Sequence, residues 1–361
     1  MAKVALAYSG SLDTTICVHW LREIRGMKVY TFSANLGQIE DLRPLADRAV
    51  DLGSTASHIA DLRNVFIDEF VFPCVRANAE YETGYFLFSA LSRPLIAREL
   101  VKVAREEGCE YIAHGARGSG NDMIRFRNSL QALAPEIEVI TPLQDLSVNT
   151  LKEAMRYARS HGLKVDHVKR AEANVEQNLW GSHIHVGNLK DTWKETPENL
   201  YVVTASPADA PPRPTSIDLK FAEGAPVALD GETLPRVELI DRLNKIGGRN
   251  GVGRYDVIEN RLNGSKSREL YEAPAATVIS AAHKALESAV LEKDLLHFKE
   301  PLSRKYAELI YEGKWYSPFR ESLEGFFRAF QRDVNGTVRL RLYKGHVSVI
   351  GLKARATHGS V

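Results

Sequence analysis

Val4-Ala5-Leu6-Ala7-Tyr8-Ser9-Gly10-Ser11-Leu12-Asp13-Thr14-Thr15 is the stretch that decides the fold. The apolar run Val4–Tyr8 reads as a strand, gives way to small hydroxyl-bearing residues, and a helix pattern starts at Asp13. Strand, loop and helix in that order put free backbone N–H groups and the positive end of a helix dipole at the end of a buried strand, a ready anion site. The spacing is not the Walker loop, because no Gly-Lys-Ser/Thr follows. Nor is it the dinucleotide fingerprint G-x-G-x-x-G.

Working outward, the rhythm of alternating strand and helix continues. A helix is expected over Asp13–Gly26, a strand over Lys28–Ala34, a helix over Leu42–Gly53 and a strand over Ala56–Ala60. A long helix over Leu87–Glu107, strands at Tyr111–His114 and Ile137–Thr141, and a helix at Thr150–His161 follow. Such alternation predicts an α/β domain, a parallel doubly wound sheet covered on both faces, with its ligand beyond the carboxyl ends of the strands. The loops Ser9–Asp13, Ala34–Gln38 and Gly115–Asp122 are therefore expected around one ligand.

Past about residue 165 the pattern becomes α+β. Tyr201–Ser206 and Ser216–Phe221 read as strands, with Pro207, Pro211, Pro212 and Pro214 between them. Gly224–Leu234 reads as a hairpin, Pro235–Ile246 as a helix, Gly247–Gly253 as a glycine-rich turn and Arg254–Asn260 as an extended segment. Two helices are expected over Pro274–Leu296 and Pro318–Val334, then a hairpin, Thr337–Tyr343 and His346–Leu352, across Lys344-Gly345. The expected domains are 1–165, nucleotide-binding, and 166–361, α+β.

Composition narrows the class. The 361 residues are 44% hydrophobic and 26% charged, an ordinary globular balance. A net charge of +1 gives no electrostatic reason to expect nucleic acid or an anionic membrane as partner. No apolar run reaches bilayer-spanning length, and Met1-Ala2-Lys3 leads straight into a strand, so no signal peptide is expected. Cys17, Cys74 and Cys109 are widely spaced without C-x-x-C, which argues for buried reduced thiols and a cytoplasmic protein.

The segment Ala113–Phe126 carries glycines at 115, 118 and 120, which let a backbone approach a ligand closely. Asn121, Asp122 and Arg125 add an amide, an acid and a guanidinium. With the opening loop, these residues carry a resemblance. Ala7–Thr15 resembles the PP-loop, Ser-Gly-Gly-x-Asp-Ser/Thr, of ATP pyrophosphatases (the adenine nucleotide alpha hydrolase type of sheet), with Ser11 in place of the second glycine. Over about Lys3–Leu352 the chain resembles the argininosuccinate synthase family. Its A-N-x-G-Q is matched by Ala34–Gln38, H-G-A-x-G-x-G-N-D by His114–Asp122, and N-L-W-G by Asn178–Gly181. G-V-G-R-x-D-x-x-E-N-R is matched by Gly251–Arg261, K-S-R by Lys266–Arg268, K-Y-A-E-L-x-Y by Lys305–Tyr311, and T-V-R-L-x-L-Y-K-G by Thr337–Gly345.

The resemblance implies an AMP-forming C–N ligase: ATP adenylates the ureido oxygen of citrulline, and the amine of aspartate then displaces AMP. It places ATP at Ala7, Tyr8, Ser9, Gly10, Ser11, Leu12, Asp13, Thr14, Thr15, Ala34 and Gly115, with Mg²⁺ arriving on the nucleotide. The donor positions fall on Arg117, Asn121 and Asp122. Acceptor positions fall on Tyr85, Ala90, Asn121, Arg125, Asn174, His183, Glu259 and Tyr271. Asp13 serves either to orient the loop or its metal, or simply as a helix-start carboxylate, and the sequence does not separate the two.

The departures cluster on the acceptor and donor ligands. The family's Thr in the second loop is Arg117 and its Lys is Ser119; three citrulline-contacting serines are Ala90, Asn174 and His183. Each hydroxyl lost from a buried polar site costs about 1–3 kcal/mol if its partner is left unpaired. Two alternatives follow: a paralogue with another acceptor or donor in specialised metabolism, or a non-catalytic adenine-nucleotide sensor. His183 and His185 flank Ile184, but no third ligand is nearby in sequence, so no protein-held metal is expected. The partners expected are small molecules and further copies of the chain, as dimer or tetramer. Only Lys353–Val361 follow the last strand, where the family usually carries a longer segment that joins subunits.

Overall fold

The computed structural model describes residues 1–39, 41–118, 120–163, 173–186 and 191–354, the side chains at 173, 174 and 186 excepted. Two compact units are present: Met1–Leu62 with Ser92–Ala171 and Glu312–Ser317, and Arg63–Leu91 with Glu172–Tyr311 and Pro318–Val361. Each draws on separate stretches of chain, whereas the change of rhythm alone suggests one division near residue 165.

The first unit holds a five-stranded parallel sheet of β1 (Lys3–Ala7), β2 (Lys28–Asn35), β3 (Ala56–Asp61), β4 (Tyr111–His114) and β5 (Glu138–Ile140). Its order is β3-β2-β1-β4-β5, so the direction of winding reverses between β1 and β4. Val4, Ala5 and Leu6 are wholly buried, as expected for a strand covered on both faces. Leu12, Ile16 and Cys17 of the helix Leu12–His19 pack with Val4, Leu6 and Val29 in one apolar cluster. The expected helix to Gly26 is α-helical only to His19; Trp20–Ile24 widens into a π-turn in which the successive residues Trp20 and Leu21 are both buried. Glu312–Ser317 lies against the helix Asn121–Leu133: a Cβ on Gly313 would stand 2.6 Å from Arg125 Cα, and Asn128 donates to the Glu312 carbonyl at 3.0 Å.

The second unit holds two antiparallel sheets. One joins β6 (Ala173–Asn178) and β7 (Gly181–Val186) to two later strands, β11 (Arg254–Asn260) and β12 (Lys266–Glu272), in the order β11-β12-β7-β6. The other runs β10-β9-β8-β13-β14, from β8 (Thr215–Ala222), β9 (Ala225–Leu229), β10 (Glu232–Thr233), β13 (Gly336–Tyr343) and β14 (His346–Ala354). Lys344 and Gly345 both have positive φ, 46° and 85°, the geometry of a two-residue hairpin turn.

Three expectations are corrected. Tyr201–Ser206 is not a strand: the buried Glu272 carboxylate takes the backbone N–H groups of Val202, Val203 and Thr204 at 2.8–3.2 Å, so a side chain replaces the ladder. The helix expected to end at Ile246 runs over Arg236–Arg249, and a Cβ on Gly248 would meet the Val203 carbonyl at 2.6 Å, so this glycine serves packing inside a helix. Pro274–Leu296 is two helices, Pro274–Val290 and Lys293–Tyr311, parted at Leu291, which is extended (ψ 146°).

Candidate active site

The nucleotide loop sits at the β1/β4 reversal of the first unit, where open α/β sheets bind ligands. Gly10 has φ +72°, and a Cβ there would come 2.2 Å from Leu45 Cδ2, so the turn calls for glycine. Ser11 is different. At φ −70°, ψ 166° it is ordinary extended backbone and caps the helix, its Oγ accepting from the Thr14 N–H at 3.4 Å. Ser9 donates to Ser11 Oγ at 3.0 Å, and the hydroxyls of Ser11 and Thr14 lie 3.3 Å apart. Ser9 and Ser11 are exposed, while Tyr8, Leu12, Thr14 and Thr15 are buried and Ala7 and Asp13 partly so. Burial raises the Tyr8 phenol, with Thr15 and Arg48 pulling the other way.

The neighbouring loops close around this turn. Gln38 donates to the Ala34 carbonyl at 2.9 Å and accepts from the Leu36 N–H at 2.8 Å, tying the loop after β2 to itself. A Cβ on Gly115 would reach Thr14 Cγ2 at 2.9 Å, so the end of β4 is pressed against the helix Leu12–His19. His114, buried and stacked on Phe126, is held down to about 4 chiefly by burial. Arg117 does not reach for solvent: it donates to both Asp13 oxygens, at 2.8 and 2.9 Å. Asp122 takes Arg93 at 2.7 Å and Arg125 at 3.1 Å. Asn121 opens the helix Asn121–Leu133, whose Gly120 cap supplies no side chain, so its first amides are not met by a capping side chain. Ser119 lies outside the described residues.

In the second unit His183, Glu259 and Tyr271 share one face of β11-β12-β7-β6, and Tyr85 packs on it. A cavity of about 430 Å³ is lined by Tyr81, Glu82, Tyr85, Glu259, Asn260 and Tyr271, among others. Tyr85 stacks on Tyr271 (centroids 4.8 Å, 25°), and its hydroxyl accepts from the Ala90 N–H at 3.2 Å. Ala90 is wholly buried and brings no polar group of its own beyond the backbone. Glu259 accepts from the hydroxyls of Tyr271 and, at 2.6 Å, Tyr311. Burial, then the Glu259 charge, pushes the Tyr271 phenol well up, so it stays a donor. Such a carboxylate, held by two phenols, presents fixed negative charge to a cation.

His183 is paired rather than pointing into open space: its Nε2 is 2.5 Å from Glu269 Oε2. Burial and the neighbouring His185 hold its imidazole below the usual range. Burial raises the Glu269 carboxyl, but His183 and Ser267 more than offset it, to about 2. The side chain of Asn174 lies outside the described residues. Sequence reading missed Arg93, Tyr311, Glu269 and Glu176. Tyr311 closes the K-Y-A-E-L-x-Y match and Glu269 directly follows K-S-R, so those motifs held the signal; nothing in the sequence marked Arg93 or Glu176.

Both halves of the chain match known proteins. Residues 3–164 match the arginosuccinate synthase N-terminal HUP domain, and residues 174–358 match the arginosuccinate synthase C-terminal domain. The chain belongs to the argininosuccinate synthase family. Among its relatives, argininosuccinate synthase of Pelotomaculum thermopropionicum is 44% identical over 354 residues, covering 98% of this chain and 88% of the relative. That of Rubrobacter xylanophilus is 46% identical over 352 residues (98% and 86%), and that of Chlorobium phaeobacteroides 42% over 349 (97% and 87%). Within this argininosuccinate synthase framework, the departures have structural occupations. Arg117 neutralises Asp13, His183 pairs with Glu269, and Ala90 is core. Among the described residues no helix is long and apolar enough to cross a membrane.

Proposed function

We propose that this protein joins citrulline to aspartate at the expense of ATP. The ureido oxygen attacks the α-phosphorus, forming a P–O bond as pyrophosphate leaves. The aspartate amine then bonds to the ureido carbon, losing a proton, and AMP departs with the oxygen. The observation that carries this reading is the end-to-end similarity to argininosuccinate synthases, 98% of the chain at 44% identity. The alternatives of a changed acceptor and of a sensor gain no support from it.

The residues suit the parts. ATP fits the turn at Gly10, where the backbone takes a form only glycine adopts easily and a helix N-terminus faces outward. Mg²⁺ enters on the phosphates as part of the substrate, since both Asp13 oxygens are already held by Arg117. Glu259, fixed by Tyr271 and Tyr311, suits the acceptor's α-ammonium. Asn121 and Asp122 are the donor positions, with Arg117 in the same loop but its guanidinium engaged by Asp13. Catalysis on this reading is positioning and charge stabilisation, with no side chain required to take the first proton. Buried, unpaired Cys17, Cys74 and Cys109 agree with a cytoplasmic setting, and assembly into a homo-oligomer is part of the proposal.

The test is AMP and pyrophosphate release with MgATP, citrulline and aspartate. Turnover dependent on all three is expected. AMP formation that ignores citrulline or aspartate would overturn the reading, as would none at all.

A further inference from the structure

The hairpin of β6 and β7 brings together three side chains that the ligase reaction does not use as a set. Glu176 stands opposite His183, and His185 follows two residues on, so all three share one face of the sheet. A donor atom from each lies within 4.8 Å of the others. The two imidazole rings are 3.6 Å apart between centroids, and Glu176 Oε2 is 4.0 Å from His185 Nε2. Two histidines and a carboxylate are a common ligand set for zinc and its neighbours, leaving one position open.

An independent feature lies behind the cluster. Glu269 accepts from His183 Nε2 at 2.5 Å, and its other oxygen takes the Ser267 hydroxyl at 2.5 Å. A proton on Nε2 leaves the His183 lone pair on Nδ1. A histidine tied to a carboxylate through one nitrogen and offering the other is the usual outer arrangement of a metal-bound imidazole.

We propose that Glu176, His183 and His185 bind one divalent transition-metal ion of the zinc class, with Glu269 orienting His183 from behind. Around tetrahedral zinc the donors sit roughly 3.3 Å apart, with bonds of about 2.0 Å. Side-chain rotation by about an ångström closes the site, and the exposed His185 has the freedom to make it. The site goes beyond the ligase reading and does not depend on it.

The experiment is zinc titration of the full-length, tag-free, chelator-treated protein against a chromogenic zinc indicator, without ATP, citrulline or aspartate. One equivalent taken up in competition with the indicator is expected, with a rise in the unfolding temperature. His185→Ala, at an exposed position, and Glu176→Gln are each expected to weaken uptake at least tenfold. Glu269→Gln is expected to weaken it by about 10–100-fold while leaving the stoichiometry at one. No saturable uptake by the unaltered protein would overturn the site. So would unaltered uptake in His185→Ala and Glu176→Gln, which would put the zinc elsewhere. Because no substrate is present, neither result bears on the ligase activity.

Discussion

Arg117 clasps Asp13 through two parallel hydrogen bonds, joining the loop after β4 to the first turn of the nucleotide-loop helix. Both side chains are about a quarter exposed, at 27% and 23%, so the pair is a linkage at the rim of the loop and not a buried ion pair. A forked guanidinium on a carboxylate is the most directional pairing available to these groups.

Arg117→Thr, which installs the residue type of the family's motif, is expected to cost less than about 1 kcal/mol of stability, as a partly exposed pair does. It is expected to lower the KM for aspartate at least threefold, with kcat within about twofold by the same kinetics. A rise in that KM would show that Arg117 itself holds the donor.

Ser11→Gly is expected to keep AMP formation within about threefold of the parent. The backbone at Ser11 is extended, and glycine at a helix cap costs only a few tenths of a kcal/mol relative to serine. A tenfold loss of rate would assign the Ser11 hydroxyl a direct part in holding ATP. Gly10→Ala is the contrasting variant: with φ +72° and Leu45 in the way, a loss of ATP affinity of tenfold or more is expected.

Tyr311→Phe removes one of the two phenols on Glu259. Losing a hydrogen bond to a buried charged group costs about 1–3 kcal/mol, so the KM for citrulline is expected to rise between about fivefold and a hundredfold. An unchanged citrulline KM, with the KM for ATP raised instead, would remove Glu259 from the acceptor's ammonium.

His283 is wholly buried between Asn78 and Gln331, and burial holds its imidazole down to about 4 from an ordinary 6.5. Between those values the unfolded chain takes up a proton that the folded chain refuses, so stability falls as pH falls from 6.5 towards 4. The loss from this one group is on the order of 3 kcal/mol. Urea unfolding across that window is expected to show a shallower acid slope in His283→Gln than in the parent; equal slopes would refute the assignment.

Much of this was legible because backbone demands leave strong marks. Tyr111–His114 is a strand with the bounds its apolar pattern predicts, and the Lys344-Gly345 turn is where the pattern breaks. The nucleotide loop was legible for the same reason, since only glycine suits Gly10. Tyr201–Ser206 misled because its amides are met by Glu272, some seventy residues away, and no local pattern encodes a distant carboxylate. β6 and β7 escaped notice because Glu176, His183 and His185 make one face polar and Gln177 and Ser182 add polar groups to the other, so no apolar alternation marks a strand. The Arg117–Asp13 clasp was hidden too: a departure from a motif tells which residue is new, not what it reaches.

The interleaving of the two units bears on synthesis. Glu312–Ser317 seats Gly313 against Arg125 and takes Asn128 on the Glu312 carbonyl, so the nucleotide-binding unit is finished only by residues that follow most of the second unit in the chain. A nascent chain cut at residue 165 carries the whole parallel sheet yet lacks the piece that braces Arg125. On the ribosome the first unit must wait, partly assembled, while about 150 further residues emerge, a delay that favours chaperone capture over early release.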